Sequence, residues 1–134
     1  MARFENVIPV NAALEQKFGL SYLIKAGKTL YMAGILSADD ATFNLVGAGD
    51  MAAQIRHIYM RMQNILAKAG CTLEHVVSEI NFTTDMAALV GAGGVRAEIY
   101  KRAGAAPPVA SAIQVSGLYL PGAMLEVHAT AEFD

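Results

Sequence analysis

The sequence predicts a single α+β domain in which a mixed β-sheet packs with two helices. Three observations support this fold class. Apolar and aromatic runs of strand character alternate with two stretches of helical periodicity, in the order strand, strand, helix, strand, helix, strand, strand. The length of 134 residues and the hydrophobic fraction of 54% suit one core of ordinary size. Residues 1–134 contain no internal repeat or linker, so we expect one domain.

The first two strands are predicted to form a hairpin. Residues 20–24 and 29–33 are rich in apolar and aromatic side chains, and residues 25–28 supply the turn between them. The first helix follows at residues 51–69, where apolar side chains recur at spacings of three and four. Asp50 can cap the start of this helix and Gly70 its end. The apolar stripe is interpreted as core packing.

The second half of the chain is predicted to hold three strands and one helix. Residues 76–83 indicate a strand, and Thr84 and Asp85 offer a cap for the helix that follows. Gly91, Gly93 and Gly94 each weaken a helix by about 1 kcal/mol relative to alanine. The helix is therefore expected at residues 95–103, and the glycine segment is interpreted as a mobile loop. Residues 109–115 and 124–131 indicate two strands around a turn at 120–123.

Composition argues against several classes of function. The formal net charge is −2, from 10 basic and 12 acidic residues, so no surface for nucleic acid or an anionic membrane is expected. The N-terminus lacks a signal pattern and no apolar run approaches the roughly 20 residues of a membrane span, which predicts a cytoplasmic protein. Cys71 is the single cysteine, which excludes an intrachain disulfide and a cysteine-based zinc site. It is interpreted as an apolar filler just past a helix end.

The chain is unusually apolar for a monomer. Only 16% of its residues are charged, and a small domain has a large surface to cover. We therefore expect part of the apolar surface to meet another subunit.

Three motifs run in order along most of the chain. Residues 30–34 read LYMAG. Residues 63–70 read QNILAKAG and are followed by paired valines and by FTTDM at 82–86. Residues 108–111 read PVAS and are followed by PGA at 121–123 and LEV at 125–127. Together these motifs resemble those of the RidA/YjgF family, in which a Ser-Gly pair ends the second strand and a Pro-Ala-Arg-Ser segment precedes the closing strand.

The resemblance implies a chorismate-mutase-like fold, a homotrimer and a cleft at each subunit interface. Family members with the complete site hydrolyse reactive enamines or imines, such as 2-aminoacrylate, to a keto acid and ammonia. An arginine in the cleft holds the substrate carboxylate through two hydrogen bonds, and a glutamate on the last strand positions the attacking water. The implied partner is a small molecule in the cleft, and no cofactor or metal is implied.

The family arginine is absent from the matching position of this chain. Aligning residues 108–111 with Pro-Ala-Arg-Ser places Ala110 there, and a methyl group cannot bind a carboxylate. Ser111 is retained, and Ala112 stands where a backbone N–H faces the ligand. Arg96 and His128 are the nearest candidates for a compensating cation, although Arg96 is also interpreted as a solvated or ion-paired surface residue.

The closing-strand glutamate of the family matches Glu126. Alternation along a strand sends Glu126, His128 and Thr130 to one face. Neighbouring positions on one face lie about 6 to 7 Å apart, so the carboxylate and the imidazole can act on one water or substrate. Glu126 and His128 are therefore the candidate catalytic residues. The alternative is a polar sheet face at a subunit interface, with Glu126 satisfied by backbone donors.

The other ligand-facing positions are less polar than in the family. Gly34 is kept, but Ala33 replaces the serine beside it. The family tyrosine of the first strand falls near Leu20, with Tyr22 close by, and a helix asparagine falls on Gly93. We expect a more apolar pocket that favours a less charged or more aromatic ligand.

Two functions stay open. The first is a divergent deaminase or hydrolase of an enamine, imine or related unsaturated small molecule, with Glu126 as the base and His128 or a backbone N–H stabilising developing charge. The second is a non-catalytic member that binds a small molecule or a partner protein. Because the arginine is missing, activity on 2-aminoacrylate itself is expected to be weak or absent.

Overall fold

A six-stranded mixed β-sheet forms the centre of the protein, and helices pack against one of its faces. The computed structural model describes residues 6–133. The helices are α1 (Ala12–Phe18), α2 (Met51–Ala67), α3 (Met86–Gly91) and α4 (Gly93–Arg102), with a 3₁₀ turn at Leu73–His75. The strands are β1 (Leu23–Ala26), β2 (Thr29–Met32), β3 (Ile35–Leu36), β4 (Val76–Thr83), β5 (Val109–Gln114) and β6 (Leu125–Glu132). The predicted α+β fold class is confirmed.

The last strand, β6, lies in the middle of the sheet. The strands are ordered β1-β2-β6-β4-β5, and the short β3 also pairs with β6. β6 runs antiparallel to β2, β3 and β4, whereas β5 pairs with β4 in parallel. β5 therefore forms one edge of the sheet, and all six of its residues are exposed. The register places Glu126 opposite Leu36 on one side and Phe82 on the other.

The core lies between the sheet and α2. Alternation along β6 buries Leu125 and Val127, whereas Glu126 and His128 point to the opposite side. The sheet side away from α2 is the open face, and its large or polar side chains include Tyr31, Ile80, Val109, Ile113 and His128. α2 contributes the buried apolar stripe that its periodicity predicts, namely Met51, Ile55, Ile58, Tyr59, Met62, Ile65 and Leu66.

Most predicted elements are present with shifted ends. The hairpin of β1 and β2 forms, but β1 begins at Leu23, so residues 20–22 precede the strand. Asp50 caps α2 as predicted, because its side chain accepts a hydrogen bond of 3.0 Å from the N–H of Ala53. Asp85 caps α3 in the same way, accepting from Ala88 at 3.0 Å.

The interpretation of the glycine segment as a mobile loop is wrong. α3 ends at Gly91 and α4 begins at Gly93, with only Ala92 between them. The N–H of Ala92 donates to the carbonyl of Ala88, and the N–H of Val95 donates to the carbonyl of Ala92. Backbone hydrogen bonding therefore continues across the junction. Glycine destabilises a helix most in its interior, whereas these glycines lie at helix ends.

Helix α1 and strand β3 were not predicted, and neither was the position of β4 between β5 and β6. α1 buries only Leu14, so its sequence carries almost no apolar periodicity. β3 has two residues, which is too short for a pattern. β5 and β6 flank the turn at 120–123 but do not pair, because β4 lies between them.

Helices long and apolar enough to cross a bilayer are not found among those described for residues 6–133.

Candidate functional site

Glu126 and His128 contact each other on the open face of β6. The side chains share a hydrogen bond between Glu126 Oε2 and His128 Nε2, as their alternation predicts. The Glu126 side chain is 20% exposed and that of His128 is 46% exposed. The imidazole also packs edge-on against Phe82, with the ring centres 4.8 Å apart. The carboxylate is thus held by a neighbouring ring and stays within reach of a small molecule.

Gly34 allows the backbone to approach this carboxylate. A Cβ at this position would lie 2.6 Å from His128 Nε2 and 2.9 Å from Glu126 Cδ, which is closer than real contacts allow. The neighbouring Ala33 N–H donates to the carbonyl of Tyr22 at 3.0 Å and fixes this part of the chain. The φ of Gly34 does not lie in the left-handed region, so any residue could adopt its backbone conformation. A glycine is required here because a Cβ would clash with its neighbours.

A cavity of about 250 Å³ opens beside Glu126, and we call it the carboxylate pocket. Its lining residues are Phe18, Leu20, Tyr22, Ala33, Gly34, Leu36, Phe43, Arg61, Tyr119 and Glu126. Aromatic rings make up much of its wall. The Phe18 ring lies 4.7 Å from that of Phe43 and 5.7 Å from that of Tyr119. This wall agrees with the apolar pocket expected from the sequence.

Phe43 reaches the pocket from a tight turn. Its φ is +60°, in the left-handed region that a bulky residue rarely adopts. The Asp39 side chain holds the turn by accepting hydrogen bonds from the N–H groups of Ala41 and Thr42 at 2.9 and 2.8 Å. The backbone N–H groups of Thr42 and Ala41 lower the pKa of Asp39. No periodic pattern marks residues 39–44, and the sequence analysis missed this part of the wall.

Arg61 is a second lining residue that the sequence analysis missed. It is 3% exposed although it lies on α2, and its Nη1 donates to the carbonyl of Leu36 at 2.6 Å. Its Nε pairs with Asp40 at 3.1 Å. The two contacts tie α2 to the end of β3 and to Asp40 beyond it, and they engage the guanidinium, so the interior of the carboxylate pocket is largely apolar.

A separate cavity of about 230 Å³ lies where α2 and α4 meet β5, and we call it the arginine pocket. Its lining residues are Ile55, Tyr59, Asn81, Leu89, Gly93, Arg96, Ala110, Ser111, Ala112 and Leu125. Ala110 and Ala112 pair in register with Glu79 and Asn81 of β4, whose side chains are buried toward the helices. The two alanines therefore stand on the helix side of the edge strand.

Arg96 is ion-paired beneath this pocket. Its Nε donates to Glu79 Oε1 at 3.1 Å and to the Tyr59 hydroxyl at 3.0 Å. Glu79 is 1% exposed and also accepts hydrogen bonds from the hydroxyls of Tyr59 and Tyr100. Burial, and next the charge of Glu79, raise the pKa of both tyrosines, so they stay protonated donors. A buried carboxylate is stable here because three donors surround it.

One atom of this network has no partner. Among the described residues, Arg96 Nη2 is the single buried side-chain nitrogen or oxygen without a hydrogen bond. An unsatisfied buried donor costs about 1–3 kcal/mol, and more when it is charged.

Comparison with known proteins identifies the family. The model of the family described as "Endoribonuclease L-PSP" matches residues 10–133. The 3-aminoacrylate deaminase RutC of Acinetobacter baylyi is 34% identical over 107 residues, which cover 80% of this chain and 81% of RutC. The crystal structure of Rv2704 from Mycobacterium tuberculosis, a member of the YjgF/YER057c/UK114 family, is 28% identical with a TM-score of 0.76 and covers 95% of this chain and 98% of Rv2704. This chain belongs to the RidA/YjgF family.

The RidA/YjgF fold extends over most of the molecule. The crystal structure of the Rid protein YyfA from Yersinia pestis is 26% identical with a TM-score of 0.77, and covers 84% of this chain and 86% of YyfA. The resemblance drawn from the three motifs is therefore confirmed at the level of family and fold.

The residues carried over from the RidA/YjgF motifs fall into two groups on one chain. Leu20, Tyr22, Gly34 and Glu126 line the carboxylate pocket, and His128 contacts Glu126. Gly93, Arg96, Ala110, Ser111 and Ala112 line the arginine pocket. Of the two interpretations of Arg96, the ion pair with Glu79 is present. One subunit thus holds both halves of the candidate site but does not join them in one pocket.

Proposed function

We propose that this RidA/YjgF protein hydrolyses an enamine or imine to a carbonyl compound and ammonia, using a water positioned by Glu126. The observation that carries the proposal is the Glu126–His128 pair at the rim of the carboxylate pocket, with Gly34 leaving room beside it. A related protein, RutC, is named for the deamination of 3-aminoacrylate, which is an enamine. The same substrate class suits a site with one carboxylate base.

The reaction needs a positioned water molecule and a group that accepts and returns a proton. An enamine first takes a proton on carbon and becomes an iminium ion. Glu126 accepts a proton from water as the oxygen bonds to the iminium carbon, and His128 orients the carboxylate. The resulting neutral carbinolamine receives that proton on nitrogen. Ammonia then leaves as the C–N bond breaks and the hydroxyl group gives up its proton to become the carbonyl group, which returns the proton that the carbon took. Water supplies the oxygen, and no oxidant or cofactor enters the balance.

We propose further that the active site is completed in a homotrimer. The carboxylate pocket and the arginine pocket are separate on one chain, as they would be if neighbouring copies brought them together. The open face and edge also expose large apolar side chains, with Val109 72%, Tyr31 55% and Ile113 45% exposed. Such a patch is typical of a subunit interface. We propose that the trimer works in the cytoplasm, as the sequence predicts, and that it binds no polyanion, since its charges are balanced.

The aromatic wall of the carboxylate pocket defines the character of the substrate. Phe18, Phe43 and Tyr119 offer apolar ring surface next to Glu126. We therefore propose a substrate whose carbon side chain is apolar or aromatic. RNA cleavage, to which the name of the matching family refers, is not proposed, because a net charge of −2 provides no phosphate-binding surface.

The proposal is tested by ammonia release. Imines and enamines generated in the assay, including 2-aminoacrylate, 3-aminoacrylate and imines of aromatic amino acids, are offered to the wild-type protein and to Glu126→Gln. We expect acceleration over the spontaneous hydrolysis, and a loss of about 100-fold or more in Glu126→Gln. Glu132→Gln is the matched control, since it changes an exposed glutamate of the same strand.

The alternative is a RidA/YjgF member that binds a ligand without turning it over. No acceleration on the whole panel by a folded wild-type protein would overturn the hydrolase proposal. A thermal-shift screen followed by a turnover assay on each hit then identifies the binding function.

A further inference from the structure

We infer that Phe43 makes this protein select substrates that carry an aromatic ring. The inference rests on the proposed function and narrows its substrate class from apolar side chains in general to an aryl group. The aryl ring lies against Phe43 in the carboxylate pocket, and the enamine or imine carbon lies toward Glu126, which lines the same pocket.

The backbone of Phe43 is strained. Its φ of +60° is the only left-handed one outside glycine among residues 6–133. This conformation costs free energy for any residue with a Cβ, and glycine or asparagine is its usual occupant. Strained residues persist only where their surroundings hold them, and they cluster at ligand sites. The strain therefore needs an explanation in what the Phe43 side chain does.

The turn itself does not require a phenylalanine. The Asp39 carboxylate accepts from the N–H groups of Ala41 and Thr42, and the Thr42 hydroxyl donates to it at 3.1 Å. The carbonyl of Asp39 accepts from the N–H of Phe43 at 2.8 Å, and its N–H donates to the carbonyl of Asn44 at 2.9 Å. All of these contacts use backbone atoms or the side chains of Asp39 and Thr42. A glycine at position 43 could form the same turn.

The Phe43 ring belongs to a cluster of three rings on the pocket wall. Its centre lies 4.7 Å from that of Phe18 and 6.4 Å from that of Tyr119, at interplanar angles of 56° and 73°. Tyr119 is 73% exposed, so one side of the cluster is uncovered. Aromatic rings prefer such tilted or edge-on contacts, because their edges are positive and their faces negative. A fourth ring, from a ligand, can therefore join the cluster in the same geometry.

The carboxylate pocket has the size and the charge for a neutral ring. An apolar cavity of about 150 Å³ is enough to bind benzene, and this pocket has about 250 Å³. Arg61 also lines it, with its guanidinium carbon 5.9 Å from the centre of the Tyr22 ring. A cationic ligand at the rings would be repelled by this charge, whereas a neutral aryl group would not.

The test compares an aromatic ring with its saturated counterpart. Phenylacetone and cyclohexylacetone differ only in the ring, and both carry the carbonyl group that the proposed hydrolysis leaves. Their binding to the intact protein is followed by NMR titration. Cyclohexyl is the more hydrophobic ring, so apolar burial alone favours cyclohexylacetone, whereas contacts between aromatic rings favour phenylacetone. We expect wild-type protein to bind phenylacetone about threefold or more tightly than cyclohexylacetone.

Variants assign this preference to Phe43. Phe43→Leu keeps an apolar side chain without a ring, and should abolish the preference for phenylacetone. Phe133→Leu is the matched control, because Phe133 is a half-buried ring that does not line the carboxylate pocket. Equal or weaker binding of phenylacetone by the wild type, or an unchanged preference in Phe43→Leu, would overturn the inference.

Two smaller residues at position 43 test the strain separately. At an ordinary position glycine destabilises a protein relative to alanine, whereas a left-handed backbone reverses this order. We therefore expect Phe43→Gly to unfold at a higher urea concentration than Phe43→Ala, while both lose the preference for phenylacetone. The opposite order of stability would remove the strain on which the inference depends.

Failure of this inference is distinct from failure of the proposed function. Glu126→Gln should lose turnover and keep the preference for phenylacetone. A protein that hydrolyses imines but binds both ketones equally refutes only the role of Phe43. A protein that prefers phenylacetone but turns over no imine refutes only the hydrolase.

Discussion

At the scale of single residues, the proposed chemistry depends on Gly34 and Glu126. Glu126 is held by His128, and these two side chains leave no room for a Cβ at position 34. The strand pattern was sufficient to predict that Glu126 and His128 share a face. It could not show that Gly34 lies beside both, because the chain at β3 and the β6 strand meet only in the folded sheet.

We expect Gly34→Ala to lose activity while the protein stays folded. The added methyl group would displace the Glu126 carboxylate and the imidazole, which are mobile side-chain ends rather than backbone. A displacement of about 1 Å in a catalytic group can cost about 100-fold in rate. Ammonia release and thermal stability are measured on the same sample. Gly117→Ala is the control, because a Cβ at Gly117 meets nothing within 4 Å.

Cys71 is predicted to be chemically inert in the folded protein. It is 6% exposed just past the end of α2, which confirms its interpretation as an apolar filler. Burial raises the pKa of the Cys71 thiol, so less thiolate is present at pH 8 than for a free cysteine. Iodoacetamide at pH 8 should label the chain only after urea unfolding. Fast labelling of the native protein would contradict this burial.

At the scale of elements, the helices show what local patterns can and cannot predict. α2 was predicted from its stripe and its Asp50 cap, both of which are local. The start of α4 was misplaced, because propensity alone penalises Gly93 and Gly94 and takes no account of their position at a helix end. α1 and β3 were missed because each buries too few side chains to leave a period in the sequence.

Two glycine substitutions distinguish helical from left-handed positions. Gly94 lies in α4, and Gly104 follows this helix with a φ of +67°. A Cβ at either site meets nothing within 4 Å, so only backbone conformation separates them. Gly94→Ala should stabilise the protein by about 0.4–1 kcal/mol, and Gly104→Ala should destabilise it by about 1 kcal/mol. Urea unfolding at one protein concentration measures both, and shifts of the same sign would contradict the assignment.

At the scale of the whole molecule, the fold leaves an apolar face and an exposed edge strand. The sequence indicated an interface through its low charge and high apolar fraction. It could not indicate that β5 is the edge, since this depends on β6 inserting beside β4. The motifs likewise could not predict that the candidate site is divided between two pockets. They give the order of residues along the chain, and not which residues lie close together in the fold.

We expect Ile113→Lys to disperse the proposed trimer. Ile113 is 45% exposed on β5 and pairs in register with Phe82, whose ring contacts His128 on the open face. A charge there would be buried without a partner in a subunit interface. Light scattering should give the wild type three times the 14.2 kDa of one chain and Ile113→Lys a lower mass. Met60→Lys, on the outer side of α2, is the control. A wild-type mass of one chain would refute the trimer.

The central claim is that neighbouring copies each supply one half of the active site, and subunit complementation tests it most directly. Glu126→Gln removes the base from the carboxylate pocket, and Ala112→Phe fills the arginine pocket. Each variant alone should be inactive. When the two chains are co-expressed in equal amounts and form trimers, about a quarter of the clefts should pair two intact halves, and about a quarter of wild-type ammonia release should return. Mixed trimers that stay as inactive as their parents would contradict the shared site.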